Sequence, residues 1–245
     1  MSKPPRFFID PSQASGDSIT VTGDDLRHIR TVLRKKQGDL LTLLDGKGTE
    51  YTVTITDIRK DGIGTEVIEC RQRERHGPAI TLGQGIAKAD RMDWIVQKAT
   101  ELGVSSVVPL VTERTIVKVK DEEKRVSRWQ KICREAAMQC GRTDIPKVRS
   151  IRPLGEFVRT LVSGAETLLL MPWEEGGEPL KQVLRARPAA RNIVVLIGPE
   201  GGFSRVEADN AREKGFLLVS LGPTILRTET AALAALGMIG YEYLL

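Results

Sequence analysis

The chain is poor in cysteine. Cys70, Cys133 and Cys140 are the only three in 245 residues. No C-x-x-C pair occurs, so neither a thiolate metal site nor a disulfide framework has a starting point. Cys133 and Cys140 fall on one helical pattern. At ~1.5 Å rise per residue they lie ~10 Å apart, too far to bridge. All three read as reduced thiols. Histidine is scarcer still, with His28 and His76 alone, which leaves a histidine-dependent hydrolase few candidates. No stretch reaches the ~20 consecutive apolar residues of a membrane span. Met1 to Asp10 has no apolar core of signal-peptide type. The expectation is a cytoplasmic protein that does not engage a membrane. G-x-x-x-x-G-K-S/T, H-E-x-x-H and G-x-S-x-G are all absent, which argues against a P-loop NTPase, a zincin and a nucleophile-elbow hydrolase.

What is present is an ordinary globular mixture, 40% apolar and 28% charged, with a formal charge of +5. That basic excess fits an RNA partner without requiring one. The hydrophobic period changes along the chain. From Arg6 to about Arg75 it is short and strand-like. Leu40–Leu44 runs into Asp45-Gly46, Tyr51–Thr56 alternates, and Gly64–Glu69 follows Asp61-Gly62. Short strands closed by D-G turns predict a small β-barrel or meander. Asp24 to Leu33 predicts one or two helical turns, with Asp24 or Asp25 as cap. The polar run Arg71–His76 before Gly77-Pro78 reads as a boundary, which gives domains 1–75 and 76–245.

After Pro78, strands and helices alternate. Strands are predicted over Ala79–Ile86, Val104–Val111, Thr167–Met171, Ile193–Ile197 and Phe216–Leu221. Helices are predicted over Arg91–Leu102, Lys124–Cys140 and Glu229–Tyr243. Gly103 and Gly141 serve as stops. The second helix should bury a stripe of Val126, Trp129, Ile132, Cys133, Ala136 and Cys140. This alternation predicts an α/β domain on a mainly parallel sheet.

Two segments carry the chemistry. In the first, the apolar run Val194–Ile197 enters Gly198-Pro199-Glu200-Gly201-Gly202. Ser204 and Glu207 then make a capping box for the next helix. In parallel α/β sheets, ligands bind beyond the carboxyl ends of strands. The competing reading is a tight strand-to-helix turn with no ligand. The second segment, Leu221 to Ala231, also leaves a strand and opens a helix, with Thr228 as its expected cap. Capping explains Thr228 but not the flanking Arg227 and Glu229. Gly83-Gln84-Gly85 begins like a dinucleotide fingerprint, but Lys88 replaces the third glycine. Basic side chains recur at Arg27, Arg30, Arg34, Lys35 and Lys36, and again at Lys88, Arg91, Lys98, Arg114, Lys118 and Arg142. Lysine and arginine contacts to phosphate supply most non-specific affinity for nucleic acid; for any one of them a solvated surface is the alternative. Patterning alone reaches a nucleotide-like pocket and goes no further.

Longer motifs go further. They are His28-Ile29-Arg30 with Val32-Leu33-Arg34, Gln97–Val104, Glu135–Arg142 with Pro146, Ile197–Gly202, Leu221-Gly222-Pro223 and Ile225–Ala231. Together they resemble the 16S ribosomal RNA uridine-N3 methyltransferases, a family of the SPOUT superfamily, nearly end to end. The resemblance implies a PUA-like RNA-binding β-barrel and a SPOUT-type α/β domain with a deep trefoil knot. It implies a homodimer that uses S-adenosyl-L-methionine (SAM) as co-substrate, with no metal, on one uridine of the assembled small ribosomal subunit. Met171, Pro172, Gly198, Pro199, Glu200, Gly201, Gly202, Leu221, Gly222, Leu226 and Thr228 would line the SAM pocket. Arg6, His28, Arg30, Arg34, Lys88, Arg91, Lys98, Arg114 and Arg142 would meet RNA. As a mechanism for that pocket, Arg227 would stabilise the developing uracil anion and Glu229 would organise the site or accept the proton; the alternative is that both are helix-terminus residues that hold the knot together. Glu200 would organise its loop. Family members usually carry arginine where Thr224 stands, which puts one RNA or SAM contact in question. A non-catalytic RNA-binding dimer and a methyltransferase for another RNA position are the competing functions.

Overall fold

The computed structural model describes residues 4–73, 76–117 and 120–244. Lys118 lies outside them. The chain divides into two compact units. One holds residues 1–75 together with Ala137–Ile145, and the other holds His76–Ala136 with Pro146–Leu245.

The strands of the first unit are β1 (Arg6–Phe8), β2 (Ala14–Ser15), β3 (Ser18–Val21), β4 (Leu40–Leu44), β5 (Thr49–Ile58) and β6 (Ile63–Gln72). They form one sheet in the order β1-β4-β5-β6-β3-β2. Side chains alternate across a strand, and β1 and β4 use both faces. Phe7 and Leu43 join Ile19, Val21, Leu41, Val53, Ile55 and Ile63 in one core that the sheet wraps. Phe8 and Leu44 face the other way and pack with Ala137, flanked by Met138 and Ile145. This is why Ala137–Ile145 belongs to the first unit, although the sequence reading gave it to the second. A strand with large apolar residues on both faces needs cover on both. Register shifts between Thr52 and Val53 and between Ile55 and Asp57 bend the long β5–β6 pair.

The predicted helix over Asp24–Leu33 is α1 (Asp24–Arg27) running into a wide π-type turn, His28–Val32. Ile29 is fully buried there and anchors the turn in the core, while its neighbours His28 and Arg30 are exposed.

The second unit holds β7 (Ala79–Gly85), α2 (Arg91–Glu101), β8 (Ser106–Val111) and α3 (Glu122–Cys140), whose last turn falls in the first unit. Then come β9 (Lys147–Val148), β10 (Arg152–Pro153), α4 (Leu154–Arg159), β11 (Thr167–Pro172), β12 (Glu178–Pro179) and α5 (Leu180–Arg185). The chain continues with β13 (Asn192–Ile197), α6 (Arg205–Glu213), β14 (Leu217–Ser220) and α7 (Thr228–Tyr243). Every pairing in this sheet is parallel, in the order β10-β8-β7-β13-β11-β14-β12, with β9 beside β8. Parallel strands buried on both faces read as continuous apolar runs. Ile193–Ile197 is such a run, and β13 lies between β7 and β11. α2 buries Met92, Ile95, Val96 and Ala99. At ~1.5–3 kcal/mol for a fully buried large aliphatic side chain, this face outweighs any helix propensity. On α3, Trp129, Cys133 and Ala136 are buried as the stripe predicted, but Cys140 is exposed. The stripe turns at Ala137, where the helix end changes partners. Among the described residues no helix is long and apolar enough to cross a membrane.

Candidate active site

The site grows from the carboxyl ends of β13, β11 and β14. Past Ile197 the chain makes the glycine turn and enters α6 through the capping box. Ser204 Oγ accepts from Glu207 N at 3.2 Å, and Glu207 Oε2 accepts from Ser204 N at 2.9 Å. Glu207 Oε1 also accepts from Glu113 N at 2.8 Å, which fixes the loop after β8 against the same helix.

Thr228 does not cap α7. Arg227 holds the cap position with extended backbone, and Thr228 is the first helical residue. The Thr228 hydroxyl turns away from its own helix and donates to Gly198 O at 2.5 Å. It also accepts from Gln84 Nε2 at 3.0 Å. The second loop is therefore bonded to the first.

Two hollows open between these loops. One, of ≈160 Å³, is lined by Ile197–Phe203 with Thr228; the other, of ≈140 Å³, by Trp173, Gly176 and Ser220–Thr224. Pro172, Glu174, Ile225, Leu226 and Ala231 line both, so the two hollows share a wall. Glycine is required where the backbone folds on itself. A Cβ on Gly198 would stand 2.8 Å from the Gly202 carbonyl carbon. Gly202 has φ +67 and faces the Glu174 carboxylate, whose Oε1 would lie 2.8 Å from a Cβ there.

Ten of the eleven residues predicted for the pocket line this crevice. The exception is Met171, which is fully buried in the core under the sheet. It belongs to β11, where alternation turns it inward and leaves Pro172 at the rim. Glu174 and Gln84 escaped the sequence reading. Glu174 lies just beyond a strand end already marked as a ligand position, and it brings a carboxylate into the crevice. Gln84 is a fully buried polar residue of β7; Nε2 also meets Gly85 O at 2.9 Å and Gly198 O at 3.4 Å.

Two cations predicted to meet RNA, Arg91 and Arg114, brace the glycine turn, and Lys88 adds its backbone N–H. Glu200 Oε1 accepts from Lys88 N at 2.9 Å and from Arg91 Nη1 at 2.7 Å. Arg114 Nη1 donates to Gly201 O at 2.8 Å. Partial burial opposes ionisation of Glu200, but the backbone N–H of Lys88, its own backbone N–H and the Arg91 guanidinium outweigh it. Its pKa falls below the ordinary carboxylate value. Lys98 pairs with Glu101 at 2.8 Å.

Two other predicted cations are engaged inside the first unit. Arg142 is 13% exposed and pairs with Asp144 at 2.8 Å, and Arg6 donates to Gly141 O at 3.2 Å and pairs with Glu50 at 3.5 Å. Arg6 ties Gly141 to the sheet, whereas the Arg142–Asp144 pair lies within Ala137–Ile145 itself. His28, Arg30 and Arg34 remain exposed beside Arg27 and Lys36. His28 packs edge-on to Phe7 at 5.7 Å, and Arg34 closes the wide turn with φ +49.

Arg227 and Glu229 flank the crevice but are not among the described residues that line it. Arg227 is exposed. Glu229 Oε2 is buried and meets no hydrogen-bond partner among the described residues. Those residues contain no group of three or more His, Cys, Asp or Glu that could hold a metal ion.

The chain holds a parallel α/β unit with a glycine-bearing crevice and a separate small β unit, and both match RNA methyltransferase families. The RNA methyltransferase domain family matches residues 74–240, and the RNA methyltransferase PUA domain family matches residues 21–67. The ribosomal RNA small subunit methyltransferase E of Synechocystis sp. is 35% identical over 96% of this chain and 76% of that protein. The Neisseria gonorrhoeae protein of the same name, solved bound to S-adenosyl methionine, superposes with TM-score 0.85 at 34% identity over 98% of both chains. A Legionella pneumophila methyltransferase in complex with SAM gives TM-score 0.84 at 33% identity, again over 98% of both. The chain belongs to the ribosomal RNA small subunit methyltransferase E family.

Proposed function

We propose that this chain transfers the methyl group of SAM to N3 of one uridine of 16S ribosomal RNA, within the small ribosomal subunit. The observation that carries the reading is the convergence of two strand-to-helix loops, 198–202 and 221–228, on one crevice. The residues fit SAM. The glycine turn and the Glu174 carboxylate line the same hollow, and that carboxylate suits a ligand that carries positive charge. SAM supplies an electrophilic methyl on a sulfonium.

The chain's own residues then have a defined task. The uridine imide nitrogen holds a proton and is a poor nucleophile until that proton leaves. The Arg227 guanidinium stabilises the negative charge that develops on the base. Glu229, whose Oε2 meets no donor among the described residues, accepts the proton or orients the group that does. Crevice and loops hold the reactants in line, a contribution worth up to ~7–11 kcal/mol. A base stacked in a helix is out of reach, so the target nucleotide is single-stranded or flipped. His28, Arg30 and Arg34 of the first unit contact the RNA backbone, as does Lys88.

In this reading residues 1–75 bind RNA and residues 76–245 form the SPOUT methyltransferase domain. The insertion of β13 between β7 and β11 belongs to a trefoil knot. Two chains pair, supported by the apolar α7, where Tyr241 is 71% exposed and Met238 40%. The enzyme works in the cytoplasm.

The test is transfer of labelled methyl from SAM to small subunits lacking the modification, with naked 16S RNA alongside. Efficient labelling of the subunit, and poorer labelling of naked RNA, is expected. Tight SAM binding with no labelling of either would move the target to another RNA. No SAM binding would favour a non-catalytic RNA-binding dimer.

A further inference from the structure

Gln84 is fully buried in the middle of the parallel sheet, and no step of the methyl transfer calls for it. Its amide nitrogen faces Gly85 O at 2.9 Å, Thr228 Oγ1 at 3.0 Å and Gly198 O at 3.4 Å. Two of these are backbone carbonyls, which only accept, so the NH₂ end has to face them. Thr228 Oγ1 completes a closed set by donating to Gly198 O at 2.5 Å. The set joins β7, the first residue of the glycine turn and the first residue of α7. Gly198 and Thr228 are 30 residues apart in the chain. At its other end the amide is unsatisfied: Oε1 is buried and meets no partner among the described residues.

An unmade buried hydrogen bond is a liability for stability, and a methionine of similar volume would remove it. What the amide contributes is therefore at its nitrogen, where two of its three contacts reach the loops around the crevice. Gln84 is also absent from the crevice lining, so it acts through Gly198 and Thr228.

We infer that Gln84 is a positioning residue: its amide sets the spacing between the glycine turn and the start of α7, and so fixes the shape of the SAM crevice. The inference rests on the SAM reading above.

The experiment compares the full-length wild type with Gln84→Met. It measures SAM affinity by calorimetry, melting temperature, and amide hydrogen exchange across 198–203 and 224–230. Loss of two hydrogen bonds predicts roughly tenfold weaker SAM binding. It also predicts faster exchange confined to the two loops and only a modest fall in melting temperature. Thr228→Val breaks the same set without touching β7 and should loosen the glycine turn in the same way. Unchanged affinity and exchange in Gln84→Met would overturn the inference. So would a large drop in melting temperature with exchange rising throughout the sheet, which marks a plain structural role. A wild type that binds no SAM would overturn the crevice reading and this inference together. That result is distinct from a wild type and variant that bind equally.

Discussion

Substituting Gly85 by alanine probes how closely the glycine turn is stacked on the sheet. Gly85 ends β7 with φ outside the left-handed region, so its backbone accepts any residue and the effect is steric alone. A Cβ there would lie 2.6 Å from both N and Cδ of Pro199, and 2.9 Å from the Gly198 carbonyl carbon. Carbon contacts settle at ~3.5–4.0 Å, so the turn must retreat by roughly 1 Å. None of the three atoms is the end of a flexible side chain. Overpacking of this kind costs ~1–3 kcal/mol. In a chain of this length each kcal/mol moves the melting temperature by ~2–4 °C, which gives a fall of ~2–12 °C. A displacement of that size at a site that aligns reactants can cost roughly 10²-fold in turnover. Thermal unfolding and SAM-dependent methyl transfer read the two effects. Gly155→Ala is the control: nothing lies within 4 Å of its Cβ, its φ is not positive and it lies in α4. It should leave activity alone and raise stability by up to ~1 kcal/mol. Gly85→Ala with the wild-type melting temperature and turnover would refute the reasoning.

Other outcomes follow from the same geometry. Glu200 has a folded pKa below its ordinary value, so its contribution is present near neutral pH and is lost as pH falls through that lowered pKa. A pH series of SAM affinity should show an acid limb in the wild type that Glu200→Gln lacks, with the variant weaker at neutral pH. Arg227→Ala and Glu229→Gln should lower kcat by ~10²-fold or more while changing SAM affinity little; equal losses in both quantities would mean that these residues only hold the loop. Thr224 is exposed at the crevice, and Thr224→Arg adds a cation there. It should lower KM for the RNA substrate and steepen its salt dependence, measured as methyl transfer against ionic strength.

The parallel sheet was legible because its strands are fully buried. Ile193–Ile197 reads as one apolar run, and glycines mark where β13 ends. The capping box of α6 was legible because both partners lie within four residues. What escaped depends on contacts distant in sequence. Thr228 looks like a cap locally, yet its hydroxyl is taken by Gly198. Arg6 and Arg142 look like free cations, yet each has a partner within the first unit. Arg91 and Arg114 brace the glycine turn across intervals of 109 and 87 residues, which no local pattern reveals. Met171 was misplaced by one step of strand alternation, and Cys140 because the helix changes partners at Ala137. The wide turn at His28–Val32 has the composition of an ordinary helix end, and burial of Ile29 decides its geometry.

The proposed reaction carries methyl from SAM to one nitrogen of one base. The most direct test is mass mapping of RNA from small subunits treated with the wild-type chain and labelled SAM. Label is expected as 3-methyluridine at a single 16S position, appearing ~10²-fold or more slowly with Arg227→Ala. Label on a ribose oxygen, on another base, or spread over many positions would contradict it.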